Sequence, residues 1–234
     1  MNFKFPNTPK EFEKFVISNQ SITIDEEIIS LLISDRKVVE EAINSDTPVY
    51  GLNTGLGANL SYRIKADEIQ DFQKTLIEGR AVGTGKPFSE SISKGILLSR
   101  IISASKGQSG ISIPTYKYLI NFWNNDLASV VPEIGSIGAG DLTQNAHFAL
   151  GLMGLSDIWM KGVNVSGPLA LKQKELPPLK LAPKDALVLI NHKGVSLSVS
   201  ALALAKARNL YLSQKIVINA SLEGFQANTS ILSE

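Results

Sequence analysis

The residues best suited to do chemistry lie in one glycine-rich loop. Gly135, Gly138 and Gly140 fall within six residues, and a helical pattern follows them directly. Asp141 is predicted as the N-cap of that helix, with Gln144 three residues later as its capping-box partner. Such a loop directs backbone N–H groups and the positive end of a helix dipole forward, which suits chemistry that develops negative charge. The same pattern is also typical of an ordinary helix start after a flexible turn.

Three other side chains are candidates for a functional role. Tyr50 lies in the glycine-rich segment 50–57, where a tyrosine is more often a packed turn residue than a catalyst. Arg80 follows Leu76 by four residues on the apolar face of a predicted helix. It either complements the helix C-terminus or faces an anionic or polar ligand, because a guanidinium on an apolar face needs a partner. His147 stands alone on a helix and is interpreted as a hydrogen-bonded core residue.

Helices must position these residues, because apolar side chains recur at helical spacing along much of the chain. Besides the helix after the glycine-rich loop, helices are predicted at 22–44, 67–81, 89–105, 116–124 and 195–222. Residues 161–168 predict a short hairpin or turn. No βαβ pattern surrounds segment 50–57, so it is not interpreted as a dinucleotide-binding loop. The expected fold class is mainly α, with glycine-rich loops and minor hairpin content.

Composition narrows the classes of function. With 234 residues, the chain is long enough for one large domain or two small ones. Its net charge of +1 and the lack of a basic run do not favour binding to nucleic acid or to an anionic membrane. The lack of cysteines excludes disulfides, and two histidines argue against a zinc site. Neither a signal peptide nor a membrane-spanning segment is expected, so the protein is expected to be soluble and cytoplasmic.

Four motifs resemble those of one enzyme family, in the family's order, between about residues 46 and 224. Residues 135–142 read Gly-Ser-Ile-Gly-Ala-Gly-Asp-Leu. They resemble the loop Gly-Ser-Val/Ile-Gly-Ala-Ser-Gly-Asp-Leu of the aromatic amino acid ammonia-lyases, which include histidine, phenylalanine and tyrosine ammonia-lyases and related aminomutases. The serine expected between Ala139 and Gly140 is missing. The other three motifs are similar to residues 49–57, 99–110 and 181–191.

The resemblance implies roles for particular residues. In the family, the Ala-Ser-Gly loop forms a methylidene-imidazolone (MIO) prosthetic group, which here would involve Ala139, Gly140 and Asp141. Tyr50 would act as the catalytic acid and base, and Asn191 would contact the prosthetic group. Gly57 and Arg80 would lie at the substrate. These positions are expected to converge in the folded protein, and no metal is implied. After the asparagine the family continues Gly-Thr, whereas this chain has His192 and Lys193.

The implied reaction is elimination of ammonia from an aromatic or heteroaromatic L-amino acid to give a 2-enoate. One alternative is an aminomutase of the same family. Another is a non-catalytic helical module that keeps the lyase scaffold for binding or for assembly. Histidine-type members carry Ser-His where this chain has Gly79 and Arg80, so the substrate stays open. Because the serine is missing, the chain as written is expected to lack appreciable activity.

The resemblance also has consequences for the organisation of the chain. Residues 1–194 would form an N-terminal domain with the active-site loops, and 195–234 the start of a truncated central helical bundle. Family members assemble as homotetramers, so a homo-oligomer is expected, with an amino acid as the small-molecule partner. Neither nucleic acid nor a membrane is an expected partner.

Overall fold

The structure, a computed structural model, is mainly helical, as predicted. It describes residues 3–43, 45, 47–55, 61–64 and 68–232, and of residues 70, 231 and 232 the backbone alone. The helices are α1 (Pro9–Ser18), α2 (Glu26–Ile43), α3 (Ile69–Glu78), α4 (Glu90–Ala104), α5 (Ile113–Asn124), α6 (Leu142–Leu152), α7 (Gly167–Gln173), α8 (Asp185–Ile190) and α9 (Gly194–Gly224), with a final 3₁₀ turn at Thr229–Leu232. The strands are β1 (Thr84–Pro87), β2 (Leu127–Ser129), β3 (Pro132–Ile134), β4 (Ile158–Met160) and β5 (Val163–Val165).

Capping residues decide where two of the helices begin. The Ser112 hydroxyl accepts a hydrogen bond from the Thr115 N–H at 3.3 Å, and Pro114 suits the first turn. Helix α5 therefore begins at residue 113, before the predicted start at 116. Helix α1 was not predicted, although Thr8 caps it and Pro9 occupies its first position.

The strands form two small antiparallel sheets. Strand β1 pairs with β3, and β4 pairs with β2 on one side and β5 on the other. Trp159 lies opposite Asn164 in the β4–β5 hairpin. Lys161 and Gly162 have φ values of +53° and +79°, as a tight hairpin turn requires. The hairpin predicted at 161–168 is confirmed, and its first strand begins earlier, at residue 158.

Helix α4 occupies the centre of the core. It packs against α1, α5, α6 and α9 and against strand β2. Apolar side chains on several faces of this helix are fully buried, namely Ile96, Leu97, Leu98 and Ile101. The largest buried aromatic side chains surround this helix and come from α5 and α6: Tyr116, Phe122, Trp123 and Phe148. The glycine-rich loops are thus attached to a packed helical framework.

The long helix α9 is buried only in its first turns. It crosses α4 so closely that a Cβ atom on Gly95 would lie 2.1 Å from the Ser198 hydroxyl, which donates to the Ile92 carbonyl at 2.8 Å. Buried residues of α9 end at Ala205. Beyond it, large apolar side chains are exposed: Leu210, Tyr211, Leu212, Ile216, Val217 and Ile218. The predicted division between residues 194 and 195 falls in the first turn of this helix, and the two-domain organisation stays a prediction.

One helical stretch, Asp185–Gly224, is long and apolar enough to cross a membrane by length and composition. By that criterion, the expectation that the sequence contains no such span is wrong. The reason is that small polar residues such as serine lower the mean hydropathy less than charged residues do. Buried core helices pass the same test, and 39% of the most apolar window is buried here. The finding by itself is therefore weak support for a membrane location.

Candidate active site

The glycine-rich loop connects β3 to α6 and winds around one serine. Gly138 and Gly140 have φ values of +86° and +112°, a region that favours glycine. The Ser136 hydroxyl accepts from the Gly138 N–H and donates to the Gly140 carbonyl, both at 3.3 Å. Ala139, between the two glycines, is exposed. The Ser136 hydroxyl is thus used to hold the turn.

The predicted capping box at the start of α6 does not form. The Gln144 side chain does not reach back to its own helix N-terminus but donates to the carbonyls of Pro132 and Glu133 at 2.9 and 3.0 Å. The Thr143 hydroxyl donates to the Gly135 carbonyl at 2.5 Å. The first turn of α6 therefore holds the entrance of the loop, because it binds the carbonyls of β3 and of Gly135.

Asp141 occupies the N-cap position of α6, but its side chain makes no capping hydrogen bond to that helix. Its carboxylate instead accepts from the N–H and the hydroxyl of Ser196, each at 2.8 Å, in the first turn of α9. The carboxylate is 1% exposed and lies at the positive end of the α9 dipole, where a negative charge is favoured. Asp141 therefore ties the loop to α9, which corrects the predicted role.

Asn191 and the glycine-rich loop lie together in the structure. The side-chain N–H₂ of buried Asn145 donates to the carbonyls of Ile190 and His192, at 3.0 and 2.7 Å, on either side of Asn191. The Asp141 N–H donates to the same His192 carbonyl at 3.3 Å. Asn191 itself is exposed just after α8. Sequence reasoning missed Asn145; its spacing, one helical turn after Asp141, is the signal that places it behind the loop.

Helix α8, which leads to Asn191, is anchored by a buried carboxylate that the sequence reasoning also missed. Asp185 is fully buried and accepts hydrogen bonds from the Ser112 N–H and hydroxyl, the Thr115 hydroxyl and the Ala182 N–H, at 2.6–2.9 Å. Arg36 approaches the same carboxylate at 3.9 Å. The sequence did contain a sign of its importance, because Asp185 lies inside the motif at residues 181–191. This network fixes the backbone that presents Asn191.

Three other predicted site residues are not joined to the loop by the contacts described. Tyr50 is 52% exposed, and the hydrogen bonds of segment 47–55 are local, as between the Asn53 side chain and the Val49 N–H at 2.7 Å. Gly57 lies outside the described residues. The Arg80 guanidinium donates to the Leu76 carbonyl at 3.4 Å, which supports the interpretation of Arg80 as a helix C-terminal cap. The catalytic and substrate-binding roles of these residues stay predictions.

His147 is half-buried on α6, as a packed histidine. Burial lowers its pKa, while a hydrogen bond with the backbone of Gly83 acts in the opposite direction. Within the described parts of the chain, no group of three or more histidine, cysteine, aspartate or glutamate residues is placed to hold a metal ion.

Comparison with known proteins identifies the family. Residues 8–234 match the family described as aromatic amino acid lyase, so the chain belongs to this family and the resemblance seen in the motifs is confirmed. Histidine ammonia-lyase of Natranaerobius thermophilus is 31% identical over 226 residues, which cover 96% of this chain and 44% of that protein.

Solved structures agree on the fold. Phenylalanine aminomutase of Pantoea agglomerans superimposes with a TM-score of 0.90 at 28% identity, over 96% of this chain and 43% of its own. Histidine ammonia-lyase of Trypanosoma cruzi gives 0.90 at 25% identity, over 97% and 45%. The chain thus has the helical ammonia-lyase fold and spans less than half the length of the proteins it matches.

The loop does not fit the prosthetic group that the family implies. The methylidene carbon of MIO comes from a serine side chain between alanine and glycine, and here Ala139 is bonded directly to Gly140. Ser136 does not substitute, since Ile137 follows it and its hydroxyl bridges the turn. The geometry around the loop is consequently that of the family without the group that supplies its electrophile.

Proposed function

We propose that the protein is a lyase-type amino acid-binding protein, with an aromatic or heteroaromatic L-amino acid as its ligand. The reaction for which its scaffold is suited is elimination of ammonia to give a 2-enoate, and we propose that the 234-residue chain does not perform it. One observation carries this proposal. The framework that joins the loop to Asn191 through Asp141 and Asn145 is complete, while the loop is one serine short.

The contacts around Asn191 support a role in ligand binding. Asn145 holds the carbonyl groups on both sides of it, whereas the Asn191 residue is itself exposed. An amide on a fixed backbone and open to solvent is suited to hydrogen bond a polar ligand in front of the loop. The N-terminus of α6 adds positive potential there, which favours the carboxylate of an amino acid.

The missing serine supports the lack of turnover. Without it the loop has no source for the carbon that would act as the electrophile. An electrophile acts in the transition state, so its loss lowers turnover more than binding.

The test is to incubate the chain with L-histidine, L-phenylalanine and L-tyrosine in turn. We expect no release of ammonia and no near-ultraviolet absorbance from the corresponding 2-enoate, while calorimetry detects saturable binding of at least one of the three. Robust formation of urocanate or cinnamate by the unmodified chain would contradict the proposal. Failure of all three to bind would favour the non-catalytic assembly module instead.

An aminomutase of the same family is the second candidate. It is favoured by the phenylalanine aminomutase of Pantoea agglomerans, which matches the fold as well as the lyase of Trypanosoma cruzi does. The two functions differ in product, because a mutase returns the amino group to the β-carbon and a lyase releases it. Product analysis of a variant that turns over, described in the Discussion, distinguishes them.

We also propose that the exposed part of α9 packs against helices of another subunit in a soluble, cytoplasmic homo-oligomer, a tetramer by resemblance. A contiguous exposed apolar surface marks an interaction site. Lys206, Arg208 and Lys215 interrupt this surface, and charges are costly in the hydrocarbon core of a membrane. Protein helices therefore suit this surface better than lipid does.

Light scattering on the chain is expected to detect oligomers. Leu210→Glu and Ile216→Glu, at side chains 71% and 70% exposed, should shift the distribution toward monomer without lowering the Tm of the monomer. Val38→Glu is the matched control, since Val38 is 66% exposed on α2. A wild-type monomer at high concentration, or an equal effect of Val38→Glu, would argue against this surface.

A further inference from the structure

Arg100 is a buried cation with an unused hydrogen-bonding edge. It lies in α4 and is only 3% exposed. Its Nε and Nη2 atoms are buried, and neither finds an acceptor among the residues that the structure describes. Burial lowers the pKa of Arg100 to about 10. A charge taken out of water without a partner is strongly unfavourable, so this position requires an anion.

The two unpaired atoms define which kind of anion fits. The N–H groups on Nε and Nη2 are parallel and lie on one side of the planar guanidinium group. Their spacing matches the two oxygens of a carboxylate, which is the geometry of a bidentate arginine–carboxylate pair. A spherical anion such as chloride does not use both donors equally well.

His192 lies close enough to Arg100 for the guanidinium charge to act on its ring, and its backbone is held by the residues around the glycine-rich loop. A Cβ atom on Gly194 would lie 2.1 Å from its ring, and its backbone carbonyl accepts from Asn145 and Asp141. The pKa of His192 is well below its usual value, mainly because the ring is buried and also because the positive charge of Arg100 acts on it. The ring is therefore neutral at neutral pH. Its buried Nε2 atom also has no partner in the described parts of the chain.

We propose that Arg100 and His192 form a buried carboxylate-binding site, in which the guanidinium edge takes both oxygens and the imidazole donates to one of them. His192 stands where the family pattern continues with glycine, so half of this site departs from that pattern. Because the His192 backbone is bonded to Asn145 and Asp141, the occupant stabilises the segment that presents Asn191. The site thus couples carboxylate binding to the order of the glycine-rich loop.

Nuclear magnetic resonance on the wild-type chain tests this directly, because the protein has only two histidines. Formate is titrated at constant ionic strength against chloride, and the ring Hε1 signals of His147 and His192 are followed. We expect a saturable shift of the His192 signal with formate and not with chloride, while the His147 signal stays constant. Binding should weaken by about tenfold to a hundredfold in Arg100→Gln, which loses the charged donors. Arg208→Gln, on the exposed part of α9, is the matched control and should bind like wild type.

A second measurement does not depend on an added ligand. In chloride buffer, Arg100→Met removes an unpaired buried charge and should raise the Tm by about 2–4 °C. Formate should then raise the Tm of wild type and leave that of Arg100→Met unchanged. A carboxylate side chain from a second copy of the chain would instead make the wild-type Tm depend on protein concentration, and Arg100→Met would abolish that dependence. If neither formate nor protein concentration distinguishes wild type from Arg100→Met, the proposal is wrong.

Discussion

A variant with a serine inserted between Ala139 and Gly140 is expected to weigh two water molecules less than its sequence predicts and to show a new near-ultraviolet absorbance. The inserted residue restores the Ala-Ser-Gly order of the family loop, and its side chain supplies the carbon that the present loop lacks. The surrounding hydrogen bonds from Asp141 and Asn145 are already in place. Intact-mass spectrometry and a spectrum before and after borohydride measure the change without any need for turnover.

Insertion of alanine at the same point is the matched control. It lengthens the loop equally but adds no hydroxyl, so it should give neither the absorbance nor the loss of two waters. If the serine variant had the full mass calculated for its sequence and no new absorbance, with a folded chain by circular dichroism, the loop could not close in this framework.

A serine-containing protein that turns over an amino acid then tests Tyr50. Tyr50→Phe is expected to lower kcat by about 10²–10⁴ while the absorbance remains, because it removes the proposed acid and base and not the electrophile. The tyrosine is half exposed in the present structure and not hydrogen-bonded to the loop in the contacts described, so this test examines a role that is implied only by resemblance. Loss of the absorbance in Tyr50→Phe would assign Tyr50 to loop closure instead.

Asp185→Ala is expected to destabilise the protein by about 3–5 kcal/mol. The substitution removes the buried carboxylate that accepts from Ser112 and Thr115 and lies 3.9 Å from Arg36, and it leaves several buried donors unpaired. Urea unfolding followed by circular dichroism measures the free energy of unfolding. Amide exchange of residues 185–191 should increase, because α8 loses the bonds that hold its first turn.

Asp157→Ala is a suitable control, since Asp157 is exposed and should change the free energy of unfolding by no more than about 0.5 kcal/mol. In a double-mutant cycle with Arg36→Met, the combined cost should be smaller than the sum, because each change removes part of one network. A cost of Asp185→Ala close to that of Asp157→Ala would show that the buried network contributes little to stability.

Much of the helical architecture follows from local sequence. Apolar residues recur at helical spacing in the segments that become α2, α3, α4, α6 and α9, and the hairpin at 161–168 depends on two residues with positive φ. The family could likewise be inferred from motifs, because each places particular residue types next to one another in the chain. These features depend on near neighbours, which a sequence displays directly.

Asp141 illustrates what the sequence left undecided. Its position before an apolar helix predicted a cap for α6, and the backbone does turn into that helix there. Whether its carboxylate binds the N-terminus of α6 or that of α9 depends on the distance to α9. Ser196 in α9, which it does bind, is 55 positions further along the chain. Likewise, Arg80 had two possible partners by spacing, and only the folded backbone shows its bond to the Leu76 carbonyl.

The sequence alone therefore determined most of the longer helices, the family and the missing serine, because these are properties of adjacent residues. The tertiary structure decided the partners of the buried polar groups: Asn145 with the carbonyls beside Asn191, and Asp185 with Ser112 and Thr115. A hydrogen bond requires two groups to lie within about 3 Å. For residues tens of positions apart, that distance is set by the packing of whole helices and not by any local pattern.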